Sequence, residues 1–197
     1  MSTEAPAAEV AEAAERAGSP RISLIAAAVL AVVVALLVAV LASSDPQTER
    51  QTQSPLLGRL APPTEGRTLD GQEVSIDDYR GRWVFVNFFA SWCIPCQTEH
   101  RQLRAFDEAH RRSGDAALVG VTYDNDTDEA RAFFEERGGE WPVIDDPTNS
   151  IGVAYGVARV PETFVIAPDG TVVHRFPGEV TRKQLDEVIQ LYEERAA

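Results

Sequence analysis

Cys93 and Cys96 are the only cysteines of the 197-residue chain, and just two residues, Ile94 and Pro95, separate them. They follow a short aromatic and β-branched run, Trp83 to Phe89, that reads as a buried strand. They open a stretch, Ile94 to Arg112, in which Leu103, Phe106 and His110 recur at helical spacing. A C-x-x-C at such a junction points to dithiol–disulfide exchange. At the start of a helix, residues three apart lie on one face, so the two sulfurs can reach bonding distance. Pro95 is tolerated only in the first turn of that helix, which places Cys93 at the N-terminus. There the unpaired N–H groups and the positive helix end favour a thiolate. Cys93 is therefore expected to attack a substrate disulfide, and the deeper Cys96 to resolve the mixed disulfide.

Other uses of the pair fit less well. A zinc site needs four ligands, and the nearest additional candidate is His100. Covalent haem attachment needs His directly after Cys96, where Gln97 stands. A purely structural disulfide would close too small a loop to stabilise the fold much.

The surrounding elements follow from local signals. Asp70-Gly71, between Thr68-Leu69 and Glu73-Val74-Ser75-Ile76, marks a hairpin, and Ala117 to Thr122 a second buried strand. Asp126-Thr127-Asp128-Glu129 opens a helix that Gly138-Gly139 ends. Pro142 to Ile144 reads as a short strand and Asn149 to Tyr155 as a short helix. Thr163 to Ala167 and Thr171 to Phe176 form a hairpin around Pro168-Asp169-Gly170. Thr181, with Gln184 three residues on, caps a last helix bearing Leu185, Val188, Ile189 and Tyr192. The order β–α–β–α–β–α–β–β–α predicts an α/β fold, a mixed central sheet flanked by helices.

Phe88-Phe89-Ala90-Ser91-Trp92-Cys93-x-Pro95-Cys96 resembles thioredoxin-like proteins. Further pieces resemble the membrane-anchored thiol:disulfide oxidoreductases of cytochrome c maturation, the DsbE/CcmG type. They are Ser54 to Gly58, Gln97-Thr98-Glu99-His100, Gly120 to Asp126, and Tyr155-Gly156-Val157 followed by Val160-Pro161-Glu162-Thr163-Phe164. Ile94 and Pro95 look more like the ResA group, and Ala158-Arg159-Val160 replaces the aromatic residue and Gly that often precede the Pro. Pro62 to Arg67 lacks apolar alternation, so a short first strand is expected there.

The resemblance implies a thioredoxin-like fold and a cis Val160–Pro161 peptide facing Cys93, where the Val160 backbone would bind an extended substrate. It implies that Glu99 moves the proton of the buried thiol. It places Glu162 and Trp92 beside the substrate, Trp92 packing over the pair. It implies no cofactor other than the Cys93–Cys96 disulfide and no metal. The implied partners are protein thiols, specifically apocytochrome c or a maturation factor, and a membrane thiol reductant as electron donor. A general reductase or oxidase of exported proteins, and a metal-binding chaperone, are the competing readings.

From Ile22 to Ala42 the chain is apolar but for Ser23, with no charge between Arg21 and Asp45. As a helix this segment is roughly 31 Å long, enough to cross a bilayer core. It exceeds the usual h-region of a cleaved signal peptide, although Val40-Leu41-Ala42 offers a cleavage site. An uncleaved signal-anchor is expected. Arg21 abuts the span, favouring the N-terminus inside and the thiol domain outside the cell membrane. Residues 1–21 read as a disordered cytosolic leader, 43–54 as a flexible tether and 55–197 as one domain. The net charge is −13, and four Glu and two Arg in the first 42 residues account for only −2 of it. The remaining −11 speaks against a nucleic-acid partner and for a solubilising acidic surface.

Overall fold

In the computed structural model, residues 20–43, 54–124 and 126–196 are described. Two compact units emerge, Met1–Pro46 and Gln47–Ala197. The first contains helix α1, Pro20–Ser43, 24 residues long. It covers the whole apolar run and begins two residues earlier than the sequence pattern suggests. Among the described residues no helix is long and apolar enough to cross a membrane. The leader expected over 1–21 and the tether expected over 43–54 lie outside the described residues, apart from their ends in α1 and at Ser54.

The second unit is built on a five-stranded sheet. Its elements are β3 (Trp83–Phe89), α2 (Ile94–Ser113), β4 (Ala116–Thr122), α3 (Thr127–Arg137) and β5 (Val143–Ile144). They continue with α4 (Ser150–Tyr155), β6 (Glu162–Ile166), β7 (Val172–Pro177) and α5 (Arg182–Ala196). The order across the sheet is β5-β4-β3-β6-β7. β3 pairs in parallel with β4, and β4 with β5. β6 runs antiparallel to β3 and to β7, so the sheet is mixed as expected. β3 is central and buried along its whole length, which is why it reads as an unbroken apolar run rather than an alternating one.

Side-chain alternation divides the core. Phe85 and Phe89 of β3 face the side covered by Leu103 and Phe106 of α2, Phe133 of α3, and Leu185 and Ile189 of α5. Val84, Val86 and Phe88 face the side covered by Ile151 and Tyr155 of α4. Both cysteines belong to the α2 side.

The hairpin differs from expectation in register. β1 (Glu65–Arg67) pairs with β2 (Glu73–Ser75) as a separate two-stranded sheet, and Gly71 turns at φ 87°. Thr68 stays bonded across the turn, its N–H donating to Gln72 O at 2.7 Å, and also bridges Ile144 of β5, so Thr68-Leu69 close the turn and do not extend β1. The first strand is short, as its missing alternation suggests. Ser75 then caps a 3-10 turn, Ile76–Tyr79, in a capping box with Asp78, which sequence patterning missed.

The helix ends follow local chemistry. The Asp126 carboxylate accepts from Asp128 and Glu129 N–H at the start of α3. Thr181 and Gln184 cap α5 reciprocally through Thr181 N–H to Gln184 Oε1 (2.8 Å) and Gln184 N–H to Thr181 Oγ1 (3.3 Å). α4 is capped from further back than the sequence suggests. Asn149 makes no side-chain cap, and the buried Asp146 carboxylate accepts from the N–H groups of Ser150, Ile151 and Gly152 instead.

Candidate active site

β3 ends at Phe89, and Ala90-Ser91-Trp92 turns the chain into α2, with Cys93 N–H donating to Ala90 O at 3.2 Å. Cys93 is the N-cap of α2, in extended conformation, and its Sγ accepts from Cys96 N–H at 3.2 Å. Pro95 lies in the first turn, where its missing N–H removes no helix bond. Gln97 braces the turn through Nε2 to Ser91 O at 2.8 Å. The cysteines form a disulfide with Cα atoms 5.2 Å apart.

Cys93 is 4% and Cys96 2% exposed, so in the oxidised state the two differ less in accessibility than expected. What distinguishes them is position. Cys93 sits at the helix N-terminus between the exposed Trp92 and Ile94, whereas Cys96 lies inside the first turn and packs into the core. The end of the helix dipole acts on Cys93.

The Val160–Pro161 peptide is cis, as the resemblance implies. Val160 is half-buried against the cluster that contains both cysteines. Among the described residues, neither its N–H nor its C=O has a hydrogen-bond partner. Gly178 N–H donates to Pro161 O at 2.9 Å, fixing the loop to the segment that precedes α5.

Glu99, one helical turn beyond Cys96, is 2% exposed. Asn87 Nδ2 donates to its Oε1 and Val180 N–H to its Oε2, both at 2.9 Å. Asn87 also donates to Thr163 Oγ1 at 3.0 Å. Burial pushes the Glu99 carboxyl up to about 7, against the lowering effect of these two donors, and the Glu179 charge adds to the rise. Glu99 can thus hold or release a proton near neutrality, beside a thiol that must lose one. Sequence reasoning found Glu99 but missed its cradle of Asn87, Thr163 and Val180. Asn87 was legible in principle, since it is the one polar residue in Trp83–Phe89 and a buried polar side chain demands a partner.

One candidate is placed otherwise than expected. Glu162 shares its sheet face with Phe164 and Ile166, opposite the face that carries the cysteines. Its buried carboxylate is bonded to Arg175 Nε. Burial raises its pKa, and Arg175 and then Arg159 oppose the rise. Residue parity along β6 is the reason: Thr163, not Glu162, points toward Glu99. Trp92 does not join the buried cluster over the pair. It is 55% exposed, with Nε1 donating to Asp124 O at 3.0 Å.

His100, the nearest further metal-ligand candidate, is buried among Phe133, Phe134 and Trp141, with Nε2 2.6 Å from Gly138 O. Among the described residues no group of three or more His, Cys, Asp or Glu is arranged to hold a metal ion. The site therefore has a cysteine pair, a buried carboxyl whose proton affinity is raised and a cis-proline loop, which together suit reversible dithiol oxidation.

Residues 56–189 match the Redoxin family model. Thiol-disulfide oxidoreductase ResA of Bacillus anthracis is 30% identical over 130 residues, covering 66% of this chain and 75% of that protein. Thiol:disulfide interchange protein HelX of Rhodobacter capsulatus is 35% identical over 129 residues, covering 64% of this chain and 70% of that one. Among solved structures, a thiol:disulfide interchange protein of the thioredoxin family from Chlorobium tepidum superposes with a TM-score of 0.62 at 25% identity. That likeness covers 67% of this chain and 94% of the other. The chain belongs to the redoxin family and is a thioredoxin-fold thiol:disulfide oxidoreductase.

Proposed function

We propose that this protein is a membrane-anchored reductant that keeps the cysteines of apocytochrome c reduced before haem attachment. The observation that carries the chemistry is Glu99, a buried carboxylate poised near neutrality one turn beyond Cys96. The sequence resemblance supports the substrate class, and the similarity to ResA and HelX supports thiol–disulfide exchange.

In the reduced protein the Cys93 thiolate attacks a substrate disulfide. A mixed disulfide forms and one substrate thiolate leaves, taking a proton from solvent. Cys96 gives its proton to the Glu99 carboxylate, and its sulfur attacks Cys93 Sγ. The second substrate thiolate leaves, the Cys93–Cys96 bond closes, and two electrons have passed to the substrate. A dithiol donor in the membrane then reduces the pair again. An extended substrate segment would hydrogen-bond to the backbone of Val160 and rest on Trp92, whose exposed ring adjoins Cys93. Pro161 shapes that strip.

Helix α1 supplies the anchor in this reading. Leu24, Ile25, Leu30, Val33 and Leu36 are all exposed, and the helix has no charged residue after Arg21. A helix of this composition has no polar face to offer water. The support is the sequence itself, uncharged from Ile22 to Ser44, and in this reading the domain would lie on the extracytoplasmic side.

Cells lacking the protein provide the test, with thiol alkylation of apocytochrome c and of bulk exported proteins. Oxidised apocytochrome should accumulate while bulk thiols stay unchanged, and the full-length chain should restore the reduced form. Apocytochrome that remains reduced, or a general oxidation of exported proteins, would contradict the specialised role. Recovery of a soluble protein starting near Ser43 would contradict the anchor.

A further inference from the structure

The segment between β7 and α5 is pinned at two points. Gly178 N–H donates to Pro161 O at 2.9 Å, and Val180 N–H donates to Glu99 Oε2 at 2.9 Å. The residue between them, Glu179, is exposed. Glu179 is therefore held in the chain between one residue bonded to the cis-proline loop and one bonded to the buried carboxylate. Among the described residues Glu179 has no ion pair, although Arg182 and Lys183 lie close by in sequence. Arg182 is paired with Asp186 and Lys183 with Glu187.

We propose that Glu179 is a positioning residue for the proton transfer, the outer member of a carboxylate pair with Glu99 through which the proton of Cys96 leaves for solvent. The inference rests on the thiol-exchange reading above.

Glu99 needs such a partner. It is 2% exposed, so once it has taken the Cys96 proton it has no open path of its own to water. The groups packed against it are Asn87 from β3 and, through Asn87, Thr163 from β6, both neutral. On its own helix the titratable neighbour on the same face is Cys96. Glu179 is the one charged group from another element that acts on it, and a like charge so placed raises its proton affinity. The raised affinity makes Glu99 a stronger base toward Cys96. The exposed Glu179 carboxylate can then receive the proton through water and return it to solvent, so charge and proton number balance in each cycle.

The test uses the full-length reduced chain in detergent, with glutathione disulfide as probe. Acid-quenched intact mass follows the mixed disulfide on Cys93 as it converts to the Cys93–Cys96 disulfide, across pH. In the wild type this conversion should rise with a midpoint near 7, as Glu99 ionises. Glu179→Gln should lower the midpoint by about half a pH unit, Glu179→Lys should lower it further, and Glu179→Asp should restore it. Each substitution keeps the backbone bonds of Gly178 and Val180, so the melting temperature should not move. Glu179→Gln and Glu179→Lys should also lower the plateau, because the outer proton acceptor is lost; profiles that superimpose on the wild type, or that shift in midpoint with an unchanged plateau, would overturn the proposal. A wild-type protein that forms no mixed disulfide would instead overturn the exchange reading on which it rests.

Discussion

Cys93→Ala should abolish thiol–disulfide exchange, lowering the rate with a small disulfide substrate by at least about a thousandfold. The remaining thiol, Cys96, sits inside the first turn of α2 and packs into the core. Cys93, the N-cap residue between two exposed apolar side chains, holds the favourable electrostatic position. The fold should survive, because Ala fills most of the volume and the helix keeps Pro95 in its first turn. Loss of the N-cap acceptor for Cys96 N–H should lower stability by about 1 kcal/mol. Stopped-flow reduction of glutathione disulfide gives the rate, and thermal unfolding checks the fold.

The second large effect falls on Glu99. Glu99→Gln keeps the shape of the side chain and removes its ability to accept a proton, so the Cys96-dependent step should slow by about a hundredfold at pH 7. Stability responds as well, with a definite sign. In the folded protein the Glu99 carboxyl is raised from its ordinary 4.5 to about 7, so the native state holds this proton more firmly than the unfolded chain. The stabilisation is fully present below pH 4.5 and is lost progressively as pH rises to about 7, beyond which it is flat. Glutamine does not titrate. The stability of the wild type relative to the variant should therefore fall by up to about 3 kcal/mol between pH 4 and pH 7.5. Urea unfolding of the oxidised forms measures this without interference from thiol titration. A difference that stays constant with pH would mean that Glu99 is not the buried, proton-holding group described here. A carboxylate so placed also disfavours a neighbouring thiolate, which fits a reducing protein more than an oxidising one.

Much of this was legible in the residues. Trp83–Phe89 could only be a buried strand, and Pro95 fixed where α2 starts, so the geometry of the cysteine pair followed from local rules. The cis peptide and Glu99 came from resemblance, and their surroundings came only with the tertiary structure. Asn87 and Val180 converge on Glu99 from positions 12 residues before it and 81 residues after it, and no local pattern encodes such a meeting. Glu162 is placed at the site by resemblance, whereas strand parity turns its side chain to the other face. Asp146 was overlooked as the cap of α4 because it stands four residues before Ser150, beyond the usual capping position. The resemblance places Trp92 over the pair beside the substrate, and the hydrogen bond from its indole N–H to Asp124 O comes only with the tertiary structure.

Covalent capture by Cys96→Ala tests the central claim most directly. This variant keeps the nucleophile at the N-terminus of α2 and lacks the thiol that would attack the mixed disulfide intramolecularly at high effective concentration. Incubated with a peptide disulfide and examined by non-reducing intact mass, it should accumulate one adduct per chain, mapped to Cys93 and released by dithiothreitol, while the wild type passes to the Cys93–Cys96 disulfide. A folded Cys96→Ala protein that forms no adduct on Cys93 would contradict the assignment of this pair to thiol–disulfide exchange.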